Sequence, residues 1–227
     1  MHRPVHIVIP FKFNGAKSRM SPALNPDERI LLAIAMLGDV IDAVSGIGSV
    51  TILAGPGFDK QGFGPDNEHD FGPEVDVLEC GLDLNDALNA VIEYRQKQGW
   101  QSDLMVVMAD LDLISSVDIQ AVVETDGDIV LSPGRGGGTN MILIRDPRFR
   151  TCYHGQSFLK HRDLAMRLGL DIGIYASYSS GCDIDEPDDL VEVLIHGQGR
   201  AAALLKELGF DLSEECRSGC VRTGKEN

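Results

Sequence analysis

An α/β domain, with a mostly parallel sheet and helices on both faces, is the fold class this sequence predicts. Short apolar runs recur at residues 5–9, 50–54, 75–78, 104–109, 129–131, 141–144 and 172–175. Segments with apolar residues at helical spacing separate most of them, the alternation that builds strand–helix–strand units. The run Leu104-Met105-Val106-Val107-Met108-Ala109 is apolar without a break, as in strands covered on both faces. No repeat and no linker interrupts the pattern, so residues 1–227 read as one domain with a polar tail from about residue 212.

The first strand ends near Pro10, and the loop behind it carries Lys12, Gly15, Lys17 and Arg19. No acid precedes Asp27, in a chain whose formal net charge is −15. In open α/β sheets ligands sit beyond the carboxyl ends of strands. Cations gathered there predict a polyphosphate clamp, with a solvated basic loop as the alternative. Asn25, Pro26, Asp27 and Glu28 then start a helix: a cap, a first-turn proline and two acids at the positive end of the dipole. Its stripe of Ile30, Leu31, Ala33, Ile34, Leu37 and Ile41 runs to about Ala43. After the second strand, residues 55–73 are rich in Gly and Pro without periodicity, a long loop. A short third strand at 75–78 leads through Gly81 and Asn85 into a helix that closes near Gly99.

The long apolar strand ends in Asp110-Leu111-Asp112, and Ser115 or Ser116 caps the next helix. Two strands at 129–131 and 141–144 flank the glycine-rich loop 134–139. Ser157 opens a helix to Leu168, and Pro187 opens another after a strand at 172–175. A last helix covers 198–208.

Composition narrows the function. The acidic balance argues against nucleic acid, whose binders show a basic patch or stripe, and against an anionic membrane surface. No apolar run approaches the roughly 20 residues of a membrane span, and the first apolar run is broken by Pro10 and Lys12, unlike a secretory leader. A cytoplasmic protein is expected. Cys80, Cys152, Cys182, Cys216 and Cys220 contain no C-x-x-C pair. Free thiols are the expectation, with a Cys216–Cys220 pair or metal site as the alternative.

Four further segments carry chemistry. Asp110 stands where a buried strand leaves the core, an expensive place for an acid unless a partner compensates it. Asp183 and Asp185, two apart, share a face in extended backbone. With Asp110 they fit Mg²⁺, a hard ion that takes carboxylates together with substrate phosphates. Asp188 and Asp189 read as first-turn acids behind Pro187. The loop 134–139 lacks the spacing of a Walker or dinucleotide motif. Its glycines let backbone N–H groups approach a ligand, and Arg135 and Thr139 favour an anion there over an empty hairpin. Ser157 lies at a helix N-terminus, a ready anion site; His161, one turn on, reads as a structural helix histidine. No Ser-His-Asp or Cys-His order stands out, and phosphoryl or nucleotidyl transfer needs none.

Together these motifs resemble the 2-phospho-L-lactate guanylyltransferases of coenzyme F-420 biosynthesis. The carriers are Pro10-x-Lys12, Ala16-Lys17-Ser18-Arg19, Asp27-x-Arg29, Asp39 and Ala109-Asp110-Leu111. They continue with Gly137-Gly138-Thr139-Asn140, Gly155-x-Ser157-Phe158-x-x-His161 and Asp183-Ile184-Asp185-x-Pro187-x-Asp189-Leu190. The match covers about residues 5–195. It implies a nucleotidyltransferase fold of the glycosyltransferase-A type. The implied reaction joins GTP and 2-phospho-L-lactate with Mg²⁺, giving lactyl-2-diphospho-5'-guanosine and pyrophosphate, and a homodimer is implied too. Carried over, Lys17, Arg19 and Asp110 are catalytic; Lys12, Lys17 and Arg19 face the nucleotide. Thr139, Gly155 and Ser157 hold the acceptor acid, and Asp110, Asp183 and Asp185 hold the metal. Asn85 is assigned to the base pocket. Asp112 stands where such enzymes commonly have proline, and is either a further ligand or a surface acid. Gly155 falls in one of two registers. Phosphoenolpyruvate and 3-phosphoglycerate, which also carry one phosphate and one carboxylate, stay open as acceptors. So do a sugar-phosphate nucleotidyltransferase and a non-catalytic nucleotide sensor as whole-protein alternatives.

Overall fold

The computed structural model describes residues 3–12, 15–58, 71, 74–213 and 220–222. Its strands are β1 (Val5–Phe11), β2 (Ser49–Ala54), β3 (Val75–Glu79), β4 (Asp103–Val107), β5 (Ile129–Pro133), β6 (Thr139–Ile144) and β7 (Ile172–Ile174). The helices among and after them are α1 (Pro26–Val44), α2 (Leu84–Lys97), α3 (Ser116–Glu124), α4 (Ser157–Arg167), α5 (Tyr178–Gly181), α6 (Leu190–His196) and α7 (Arg200–Glu207). The seven strands form one sheet in the order β3-β2-β1-β4-β6-β5-β7. Only β6 runs against its neighbours, because the short glycine loop joining it to β5 permits a hairpin and no crossover.

Alternation along the strands divides the core. Ile7, Ile9, Ile52, Met105 and Val107 pack against α1 and α3. Val8, Leu104, Val106, Ile142 and Ile144 face the other way, onto Leu88 and Ile92 of α2 and Ala165 of α4. The far side of α1, through Leu32, Ala35 and Met36, is covered by α6 and α7 together with Met20 and Ile184. That outer layer explains why α1 is buried nearly all round. Its start is the capping box expected of Asn25: Asn25 Oδ1 accepts the Glu28 N–H at 3.0 Å and Glu28 Oε2 accepts the Asn25 N–H at 2.9 Å, an arrangement worth about 1 kcal/mol.

Strand order reverses between β1 and β4. The loop after β1 and the loop after β4 therefore open side by side at a topological switch point, where α/β sheets bind ligands. The chain from Cys182 onward joins them, with the Ile184 N–H donating to the Asp110 carbonyl at 3.1 Å.

The C-terminal segment differs from the polar tail expected from residue 212. β8 (Phe210–Leu212) pairs antiparallel with β9 (Cys220–Arg222). The Arg222 guanidinium lies over the Phe210 ring at 5.4 Å and bonds the Glu28 carboxylate, 3.1 Å from Oε2. Residues that look like a solvated tail thus close over the start of α1. The long loop expected over 55–73 lies largely outside the described residues; within it Phe58 stacks on Phe71 and meets Phe11 edge-on. Cys216 is also outside them. No helix among the described residues is long and apolar enough to cross a membrane.

Asp112 is neither of the two things the sequence allowed. It is buried against Asp39 of α1, and neither carboxylate oxygen finds a hydrogen-bond donor among the described residues. Burial and then Asp39 push its carboxyl up to about 8. Asp39 itself accepts the N–H groups of Arg200 at 2.7 Å and Ala201 at 2.9 Å, capping α7. An amide at position 112 could donate to Asp39 where the acid cannot without a proton. Near pH 9, where the acid has lost that proton, Asp112→Asn is therefore expected to raise the melting temperature by about 2–4 °C, with little change near pH 6, measured by calorimetry.

Candidate active site

The post-β1 loop is anchored by Met20, fully buried under α1. One residue before its 3₁₀ turn, Lys17 adopts a left-handed backbone with φ 49° and ψ 41°, a conformation unfavourable for a residue with a Cβ. That turn of the backbone aims its side chain inward. Lys17 Nζ donates to Asp110 Oδ2 at 3.0 Å and to Asp185 Oδ1 at 2.9 Å. Arg19 Nη1 reaches the other Asp185 oxygen at 3.4 Å. Burial works against the Lys17 ammonium, yet Asp110 and Asp185 hold it above its ordinary value. Burial likewise raises Asp185, but Lys17 and then Arg19 bring it below the usual carboxylate range.

Asp183 stands beside this group. Burial pushes its carboxyl up, as do the charges of Asp110 and Asp185, and its Oδ1 lies 3.5 Å from Asn140 Nδ2. Asp189 orders the segment: its Oδ2 accepts the N–H groups of Asp185 and Glu186 at 2.9 and 2.8 Å. Its Oδ1 takes Arg135 Nη2 at 2.7 Å. So Asp189 is the first-turn acid the sequence expected, and Arg135 is spent on it rather than left for an anion.

Among the described residues no three His, Cys, Asp or Glu side chains form a ready metal cage. Asp110 and Asp185 do converge, and a cation, the Lys17 ammonium, already occupies the position between them. Hard oxygen donors around a seated positive charge fit a divalent ion that completes its shell with substrate oxygens. Asp183 feels the charges of both carboxylates and is itself in contact with Asn140.

A cleft of about 750 Å³ opens from this cluster. Lys12, Lys17, Asp110 and Asp185 line it, as do Gly81 and Asp83. Asn85 does not line it. Its Oδ1 accepts the Tyr153 N–H at 2.6 Å and its Nδ2 meets His154 Nε2 at 2.9 Å. The residue placed in the base pocket from sequence is therefore committed to the loop before α4. The residues after β3, at the start of α2, make the cleft wall instead.

The third group sits across β6. A register shift at Ser132 and Pro133 leaves Asn140 as an extra residue opposite β5. Without it Thr139 would share the face of Met141 and Leu143, against α1 and α3. With it the Thr139 hydroxyl reaches α4, 3.2 Å from Ser157 Oγ and 2.9 Å from His161 Nδ1, while Asn140 turns to the Ser180 carbonyl at 2.9 Å and to Asp183. Bulges re-aim side chains in this way. Gly134 must lack a Cβ, which would stand 2.3 Å from Asn140 Oδ1. The glycine loop closes on itself, Gly134 N–H to Gly138 carbonyl, as a hairpin. Gly155 has φ +58° and precedes α4 by two residues.

A doubly-wound sheet, basic post-β1 loop, paired carboxylates at the switch point and adjoining cleft define a nucleotidyltransferase. Residues 5–224 match the family model described as "Guanylyl transferase CofC like", and the chain belongs to that family. The match extends past the residue-195 limit of the sequence resemblance, consistent with the folded C-terminal hairpin. The chain is 49% identical over 214 residues, 94% of each protein, to the 2-phospho-L-lactate guanylyltransferase of Methanothrix thermoacetophila. With that of Archaeoglobus fulgidus it shares 38% over 93% of this chain and 94% of the relative. A Desulfovibrio desulfuricans protein assigned as a nucleotide-diphospho-sugar transferase has the same fold, with TM-score 0.72 at 16% identity, covering 89% of this chain and 94% of that one.

Burial holds the His161 imidazole down to about 4, below the ordinary 6.5. The folded state therefore takes up its proton later than the unfolded chain does. Stability from this group is present above about pH 6.5 and is lost as pH falls from there towards about 4. His161→Asn should show a flatter decline in melting temperature over that window than the wild type.

Proposed function

We propose that this chain transfers the guanylyl group of GTP to the phosphate of 2-phospho-L-lactate. The products are lactyl-2-diphospho-5'-guanosine and pyrophosphate, a step of coenzyme F-420 biosynthesis. The observation that carries the reading is the Lys17 ammonium held on Asp110 and Asp185 at the mouth of the cleft. The Thr139–Ser157 hydroxyl pair lies one residue along β6 from Asn140. The names of the relatives supply the substrates.

In this mechanism Lys12, Lys17 and Arg19 bind and neutralise the triphosphate. Thr139 and Ser157, with the backbone at Gly155, hold the acceptor acid. The acceptor's phosphate oxygen forms a bond to the α-phosphorus as the bond to pyrophosphate breaks. The nucleophile is already anionic, so no side chain need be activated, and the protein's work is positioning and charge. Mg²⁺, when bound, would be held by Asp110 and Asp185, with Asp183 the further donor, and would stabilise charge on the phosphate oxygens. Lys17 would then turn from the carboxylates to the phosphates.

Pyrophosphate release from GTP and Mg²⁺ tests this, with 2-phospho-L-lactate, phosphoenolpyruvate or 3-phosphoglycerate, or with no acid. Release only with 2-phospho-L-lactate is the expected result; release with another acid alone would move the acceptor assignment. Asp110→Asn and Asp185→Asn are each expected to lower turnover by about 100-fold or more in a chain that still folds cooperatively. Wild-type turnover in either would remove the carboxylates from the mechanism.

A further inference from the structure

His161 is fully buried in α4, between the rings of Phe149 at 5.9 Å and Tyr153 at 4.9 Å. Both its nitrogens are engaged. The Cys152 backbone N–H points at Nε2 from 2.7 Å, and a backbone N–H can only donate. Nε2 therefore carries the lone pair. A neutral ring must then carry its proton on Nδ1, which donates to Thr139 Oγ1 at 2.9 Å. Burial keeps the ring neutral across the physiological range.

The consequence falls on the two hydroxyls. Thr139 Oγ1 and Ser157 Oγ are 3.2 Å apart and bond each other. With an N–H already donated into Thr139, the pair holds two protons and its mutual bond uses one. The other has no acceptor among the described residues. In the opposite tautomer the Thr139 proton would go to the ring and the Ser157 proton to Thr139. The pair would then turn only lone pairs outward, which repel an anion. We propose that His161 is a positioning residue: its tautomer, fixed by the Cys152 amide, makes the Thr139–Ser157 pair a standing hydrogen-bond donor to a phosphate or carboxylate oxygen of the acceptor. This rests on the reading of Thr139 and Ser157 as the acceptor's binding residues.

Two substitutions separate the ring's two contacts. The amide of His161→Asn reaches the place of Nδ1 and can still donate to Thr139. The amide of His161→Gln reaches the place of Nε2, where it can accept from Cys152 but leaves Thr139 without its donor. KM for the acceptor acid and for GTP would be measured in both, with Thr139→Val alongside. His161→Gln is expected to raise the acceptor KM about tenfold with the GTP KM unmoved, and His161→Asn to stay within about threefold of wild type. Equal acceptor KM in His161→Gln and wild type would overturn the proposal, as would a GTP KM that moves as far as the acceptor's. An unchanged acceptor KM in Thr139→Val would instead remove the acceptor-site reading. Nitrogen NMR of the wild-type imidazole decides the ring's part independently of any variant's folding. The proposal requires the Nδ1–H form, and the Nε2–H form overturns it.

Discussion

One ammonium ties together three stretches of chain that are far apart in sequence. Lys17 comes from the loop after β1, Asp110 from the loop after β4, and Asp185 from the segment after α5. Two carboxylates brought this close repel unless a cation stands between them. The left-handed backbone at Lys17 is the local cost of placing that cation. Met20 buried beneath α1 and the Ile184-to-Asp110 backbone bond hold the pieces where the ammonium can bridge them. Arg19 approaches the same Asp185 carboxylate, and Asp183 lies within reach of the charges of Asp110 and Asp185.

Much of this was legible in the chain. The seven runs of apolar residues became the seven strands of the main sheet, and the central β4 and β6, buried along their whole length, leave a compositional trace that does not depend on partners. Asn25, Pro26 and Glu28 marked the start of α1 for equally local reasons. Lys17, Asp110, Asp183 and Asp185 were identifiable as a group because charge is scarce at strand ends and conspicuous there. What the sequence hid is non-local. Asp112 looked like an acid of the same cluster, yet it packs on Asp39 of α1, and nothing in its neighbours announces that. Asn85 looked free for a base, but a loop 68 residues away claims it. Arg222, in a segment that reads as a solvated tail, returns across 194 residues to Glu28.

The extra residue in β6 is the least legible feature and the one that organises the acceptor side. A regular strand would put Thr139 among the residues facing α1 and α3. The bulge sends Thr139 to α4, while Asn140 reaches the Ser180 carbonyl and Asp183. Gly134 gives Asn140 the room this requires. The spacing Gly-Gly-Thr-Asn is thus a backbone specification as much as a list of side chains: a single-residue slip would exchange the two faces.

The two halves of the site handle charge in different ways, and their environments explain the difference. On the carboxylate side opposite charges are in contact and part-exposed, so partners can exchange when a more highly charged ligand arrives. On the Thr139 side the bonded and stacked partners are neutral: two hydroxyls, an imidazole held uncharged, two aromatic rings. A lysine placed there would be buried without a counter-ion until the acceptor came, at a high desolvation cost. Neutral donors avoid that cost, but hydroxyls can present either a proton or a lone pair. A group with a fixed tautomer behind them removes the choice. Buried beneath the site rather than lining it, His161 supplies that fixed polarity, which is why its position in the core and a part in recognition are the same fact.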